Sequence, residues 1–232
     1  MSGEASYLAR WELDGVGGTV VAVDVIRAFT TAAFALAGGA PEIWLVGEVR
    51  EALDLAATMP GALVMGEEHG IRPPGFDLSN SPAEVARADV AGRTMVQRTS
   101  AGTRGVVAAA GADRLFAASL VCASATAAAV RRADLGPPTY VITGRFPDRP
   151  GSGDDDLVTA ELIERLRTGR DADVEAVVDA VRGSEEAART LALGEGNADP
   201  RDIELATDVD RFDFAMEVVR ERRGLRLQRL AT

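Results

Sequence analysis

The feature that most limits how this chain can fold is a regular alternation, from residue 19 to about residue 168, of short apolar runs with helix-period segments. The runs at 19–25 (TVVAVDV), 42–47, 61–67, 93–100, 113–119 and 139–144 read as strands. The segments at 27–39, 48–59, 102–110, 122–133 and 154–168 read as helices, the first of them Ala-rich and closed by glycine. Such alternation predicts an α/β protein with a largely parallel or mixed central sheet, covered on both faces by helices in a three-layer α/β/α arrangement. YLARWELD (7–14) suits an edge strand. After residue 168 the pattern shifts to a charge-rich helical stretch (171–193), then a helix and a terminal strand or hairpin. There is no repeat and no long linker, so 1–232 is expected to form one domain that includes this helical and terminal-strand segment at about 169–232.

Composition removes several function classes. Net charge is −11 and no basic run interrupts it, so nucleic acid is not an expected partner. No apolar run approaches the roughly 18 residues of a membrane span, and the N-terminus lacks a signal pattern, so a cytoplasmic protein with no membrane partner is expected. The single cysteine, Cys122, excludes an internal disulfide and a multi-thiolate zinc site, and in its Ala-rich helix it reads as inert packing. The single histidine, His69, reads as a loop residue. Every basic residue is arginine, so Schiff-base and phosphate-loop lysine chemistry is absent. An anion must then be held by arginine, backbone N–H groups, hydroxyls or a metal.

In open α/β sheets, ligands bind beyond the carboxyl ends of the strands. The polar residues collect there. Asp24, Glu67, Asp77 and the run Asp154–Asp156 offer hard oxygen donors of the kind Mg²⁺ prefers. Arg27, Arg98 and Arg104 offer forked donors for anions, and Thr99, Ser100, Gly102 and Thr103 form a small-residue turn into a helix. Each piece has a plain structural reading as well: Asp24 and the TSAG turn as helix caps, and the Asp run as a solvated helix start.

The blocks VDVIRAFTT, GEEHG, PPGFDLSNSP, TSAGTRG, SLVCASA, the DDD-led helix and DRFDF, in that order over residues 19–218, resemble the 2-phosphosulfolactate phosphatase family. The resemblance implies a Mg²⁺-dependent phosphomonoesterase that releases phosphate from 2-phospho-3-sulfolactate, on the route to coenzyme M, with a three-layer α/β/α fold. Carried onto this sequence, the candidate catalytic residues are Asp24, Arg27, Glu67 and Asp77, and the candidate metal ligands are Asp24, Glu67, Asp155 and Asp156. Candidate substrate contacts are Asn80, Ser81, Thr99, Ser100, Gly102, Thr103, Arg104 and Ser119, with Arg27 and Arg104 favoured for the anionic groups. The expected partner is a small phosphorylated acid; a homodimer is left open. Asp24 can be read as metal ligand, nucleophile or base. The sequence departs from the family pattern at Glu68, Ala101 and Cys122, where arginine, asparagine and asparagine are usual, and in GRFPDRPGSG, which replaces a glycine-rich loop. Two alternatives therefore stand beside the main reading: a phosphatase for another small phosphorylated acid, and a non-catalytic anion-binding relative.

Overall fold

One ten-stranded sheet runs through the described residues, 4–231, of the computed structural model. The strands are β1 (Ser6–Leu8), β2 (Thr19–Val23), β3 (Ile43–Val46), β4 (Leu63–Gly66), β5 (Leu78–Ser79), β6 (Met95–Arg98), β7 (Arg114–Ala118), β8 (Thr139–Ile142), β9 (Phe214–Glu221) and β10 (Gly224–Ala231). The helices are α1 (Ala28–Ala37), α2 (Val49–Ala57), α3 (Pro82–Val85), α4 (Gly102–Ala108), α5 (Ala123–Ala133), α6 (Asp154–Thr168), α7 (Val174–Arg182), α8 (Glu185–Ala192) and α9 (Arg201–Ala206). Residues 1–3 and 232 of the expected domain lie outside the described residues.

The strand order is β1-β8-β2-β7-β9-β10-β3-β6-β4-β5. Two parallel blocks, β1-β8-β2-β7 and β3-β6-β4-β5, are joined through the antiparallel hairpin β9–β10. The sequence pattern predicts a terminal strand or hairpin; the structure has a hairpin and places it in the middle of the sheet. YLARWELD is divided, with β1 pairing along the β8 edge and a short 3₁₀ turn following at Arg10–Glu12. The charge-rich stretch 171–193 is two helices rather than one, broken at Gly183 and restarted by the Ser184 side chain, which accepts the Ala187 N–H.

Alternate residues of each strand face opposite sides, as a pleated strand requires. Val20 and Ala22 join Leu115, Ala117, Met216, Ile43, Leu45 and Met95 around α1. Val21 and Val23 point the other way, toward α5 and α6, while Trp44, Val46 and Val96 pack on α2. Laid flat, the five strand spacings from β2 to β6 would separate them by about 24 Å. Yet the Gln97 side-chain amide on β6 donates to the Ala28 carbonyl at the start of α1, at 2.8 Å. The sheet is therefore curled, and α1 lies in its concave side. Nine of the ten residues of α1 are buried. That explains its near-continuous apolar sequence, AFTTAAFALA, which shows no strong polar face.

β4 and β6 approach closely where the chain turns toward the site. Gly66 has φ +134°, and a Cβ there would stand 1.8 Å from the Arg98 carbonyl oxygen. Gly66→Ala is expected to destabilise the protein by about 2 kcal/mol or more, through strain against backbone that cannot move aside. Gly111→Ala, where nothing lies within 4 Å, should stay within about 0.5 kcal/mol of the parent. Equilibrium chemical denaturation of both variants measures the difference.

Candidate active site

Asp24 follows β2 directly and is 5 % exposed. Its Oδ1 accepts the Ala28 N–H (2.8 Å), so it caps α1 as the sequence allows. Its Oδ2 faces Thr143 and the turn before α4: the Thr143 hydroxyl is 3.2 Å away, and a Cβ on Gly102 would come within 2.7 Å of it. Only glycine lets that turn sit against the carboxylate. Asp155 and Asp156, in the first turn of α6, arrive from beyond β8 and are both buried. Burial pushes the Asp24 carboxyl up to about 7 from an ordinary 3.8, with the charges of Glu67 and Glu186 adding to it and the Ala28 N–H opposing. Burial also raises Asp155 well above the usual range, reinforced by Asp24 and Glu186, and raises Asp156, reinforced by Asp155 and Asp24. These groups titrate together, as closely spaced buried carboxylates do.

The acidic residues differ in what their oxygens already do. Asp156 Oδ1 accepts the Val25 N–H (2.9 Å) and Oδ2 the Gly144 N–H (2.8 Å), so it fastens the ends of β2 and β8 to α6. Glu67 accepts the Gly70 N–H (2.6 Å), the Ser100 hydroxyl (3.0 Å) and the Ser100 N–H, tying its loop to the turn after β6. Both belong to the site, but hydrogen bonding commits them to holding it rather than to offering free ligand oxygens. Asp77 stands apart: it is exposed, and its Oδ2 accepts the Val64 N–H (2.8 Å) at the β4–β5 margin of the sheet. It steadies the edge strand.

Glu186 was not legible from the sequence as a site residue. It lies on α8, four positions before the buried Thr190, which puts it on the inward side of that helix. A glutamate on an inward face was the available signal. Burial raises its carboxyl, opposed mainly by the charge of Arg149.

The hydroxyls expected to contact substrate mostly serve local structure. The Thr99 and Thr103 side chains each accept the other's backbone N–H, at 3.0 and 2.8 Å, and fix the start of α4. Ser81 caps α3 and donates to Asp202 Oδ1 (2.6 Å). The Ser119 hydroxyl is buried 3.1 Å from that of Thr30. Asn80 differs: its Oδ1 is buried with no hydrogen-bond partner.

The arginines are placed differently from one another. Arg27 is 3 % exposed, and its Nη1 donates to Asp202 (2.9 Å) and to the Asn197 carbonyl (2.8 Å). Through that nitrogen it anchors α9 and the preceding loop against β2. Arg98 is similarly used, by the Glu67 carbonyl (2.7 Å), the Gly47 carbonyl (3.2 Å) and the Glu68 carboxylate (3.2 Å). Arg104 is half-exposed at the α4 start and reaches only Glu48, at 3.6 Å.

Among the described residues, no three His, Cys, Asp or Glu side chains are grouped so as to hold a metal ion. What the residues around Asp24 offer toward a metal is their donor chemistry alone, carboxylate and hydroxyl oxygens of the kind hard divalent cations take. Asp24, Asp155 and Glu186 are the carboxylates whose oxygens are least committed to backbone.

The family model described as 2-phosphosulpholactate phosphatase matches residues 8–219. A protein of Bacillus subtilis named "Probable 2-phosphosulfolactate phosphatase" is 34% identical over 199 residues, covering 85% of this chain and 86% of its own length. A Thermoplasma acidophilum protein of the same name is 33% identical, covering 86% and 85% of the two chains. A third, from Thermotoga maritima, is 30% identical over 84% and 86%.

The buried carboxylates imply a definite pH dependence of stability. Between about pH 4 and about pH 7 the folded metal-free protein keeps a proton at Asp24 that the unfolded chain releases, so this contribution is full below pH 4 and lost as pH rises through 7. Asp24→Asn retains the α1 cap and removes the charge. The melting temperature of that variant should therefore gain on the parent steadily from pH 4 to pH 8. Differential scanning fluorimetry without metal checks it; a pH-independent difference would mean that the buried charge is not felt.

Proposed function

The chain belongs to the 2-phosphosulfolactate phosphatase family, and from that premise we propose that it is a cytoplasmic, Mg²⁺-dependent phosphomonoesterase releasing phosphate from 2-phospho-3-sulfolactate. The supporting observation is the pair of buried carboxylates Asp24 and Asp155 beyond the carboxyl ends of β2 and β8, with the half-buried Glu186 of α8 acting on both. Their proton affinities are raised by burial and by one another, a condition that a divalent cation relieves. Asp24, Asp155 and Glu186 would hold Mg²⁺. The bound ion supplies charge neutralisation at the phosphoryl oxygens and an acidified water.

The rest of the work falls to the chain. Asp156 and Thr143 set the spacing of the β2 and β8 ends, and so the position of Asp24. Gly102 brings the backbone of the α4 turn against the same carboxylate, leaving no side chain between turn and reacting group. Without metal the Asp24 carboxyl holds its proton up to about pH 7, so it would release that proton in holding the ion. Asp202 locks Arg27, Ser81 and the Ala83 N–H into one network, which keeps α9 and the approach to α8, hence Glu186, seated on the site.

A second reading has its own observation. Glu68, paired with Arg98, adds a negative charge to the loop after β4 and occupies an arginine that would otherwise meet an anion. That favours a small phosphorylated acid with fewer charges than phosphosulfolactate. Phosphate release from a panel of phosphorylated hydroxy acids separates the two.

EDTA-treated enzyme should release no phosphate, and Mg²⁺ or Mn²⁺ should restore activity where Zn²⁺ does not. Asp24→Asn should lower kcat by about a hundredfold or more while leaving the far-UV circular dichroism unchanged. Full activity after EDTA treatment would remove the metal from the proposal.

A further inference from the structure

With Arg27 and Arg98 committed to carbonyls and carboxylates, a substrate bearing several negative charges needs other cations. Arg10, in the 3₁₀ turn after β1, and Arg149, in the loop between β8 and α6, are among the arginines with no side-chain hydrogen bond or ion pair among the described residues, and they alone share a ring. Both guanidinium groups lie over one ring, that of Phe146, with carbon-to-centroid distances of 5.0 and 4.0 Å. One Arg10 nitrogen, Nη1, is shut off from water with no acceptor. A charged N–H group so placed is costly unless something accepts from it.

The Phe146–Arg149 loop is held by its own bonds. The Phe146 N–H donates to Ser152 Oγ (2.8 Å), and that hydroxyl donates to the Arg149 carbonyl (2.7 Å). These bonds fix the loop backbone that carries Arg149. The 3₁₀ turn bearing Arg10 packs on α4, whose first turn stands against Asp24, and Phe146 lies two residues after Gly144, whose N–H donates to Asp156 Oδ2 (2.8 Å). The two arginines therefore adjoin the carboxylate cluster.

We propose that Arg10 and Arg149, gathered on Phe146, bind one of the two acid groups of the substrate that do not react, its carboxylate or its sulfonate. The inference rests on the phosphatase reading above, with the phosphoryl group at the Asp24 cluster. Two guanidinium forks approaching from separate segments suit a three-oxygen or two-oxygen anion, and the aromatic ring between them replaces water with a weakly polar surface. An anion there would relieve the repulsion between the arginines.

Steady-state kinetics on Arg10→Gln and Arg149→Gln test it with three substrates: 2-phospho-3-sulfolactate, 2-phospholactate and phenyl phosphate. KM for phosphosulfolactate should rise about tenfold or more, with kcat within about twofold of the parent. Phenyl phosphate, which has no second acid group, should be hydrolysed as by the parent. The 2-phospholactate arm shows whether the sulfonate or the carboxylate is the group held, since a loss confined to phosphosulfolactate assigns the sulfonate. Parent KM values in both variants, or an equal loss on phenyl phosphate, would overturn the proposal. Calorimetric titration of the same proteins with 3-sulfolactate gives a readout independent of turnover. Binding weakened about tenfold in the variants supports the subsite even if the parent hydrolyses none of the three, a result that would instead remove the phosphatase reading. Unchanged binding overturns the subsite alone.

Discussion

The curl of the sheet around α1 governs everything else in this molecule. A helix that is apolar on nearly every side can be kept from water only if neighbours surround it, and the ten strands supply most of that enclosure. Curling then brings the carboxyl ends of β2, β4, β6 and β8 toward one mouth, where a flat sheet would hold β2 and β6 far apart. Asp24, the Gly102 turn and Glu67 meet because α1 has to be covered. The hydrophobic demand of one ten-residue segment thus sets the geometry of a charged site that shares none of its chemistry.

That site concentrates like charge. Asp24 after β2 and Asp155 on α6 are buried, Glu186 on α8 is half-buried, and loss of hydration is the main reason each of them holds its proton more tightly. The surrounding hydrogen bonds offset part of this cost. Asp156 commits its oxygens to two strand-end N–H groups, Glu67 to a turn, and Asp24 one oxygen to a helix start. Such a division of labour separates residues that build the pocket from those left to act in it. It also places the structural carboxylates next to the reactive ones, so that the two kinds look alike in sequence.

Much of the architecture was legible because it is local. Strand and helix positions follow from apolar runs and periodicity, and α6 begins and ends where its Asp run and Gly169 place it. Asp24 was legible for the same reason, as a carboxylate closing a buried strand. What could not be read depends on pairs distant in the chain. Arg27 looks like a free anion receptor until Asp202, 175 residues later, is found against it. Asp77 sits in a conspicuous block, PGFDLSNSP, whose task proves to be the building of the edge strand β5 and the α3 cap. Glu186 lies on a helix whose sequence resembles any solvated one. The hairpin was visible, but nothing in a strand's own residues states which strands will flank it.

Its position has a consequence for how the protein is made. β7 and β3, the inner edges of the two parallel blocks, are each completed only by β9 and β10, which are synthesised after every other strand. Until they pair, two half-sheets must wait with unpaired edges, and the core around α1 lacks Phe214, Met216, Val218 and Leu227. The 18 residues Phe214–Ala231 act as a keystone set after the other strands. Folding to the closed state is therefore dominated by long-range pairing, with open edges that invite association in the interval.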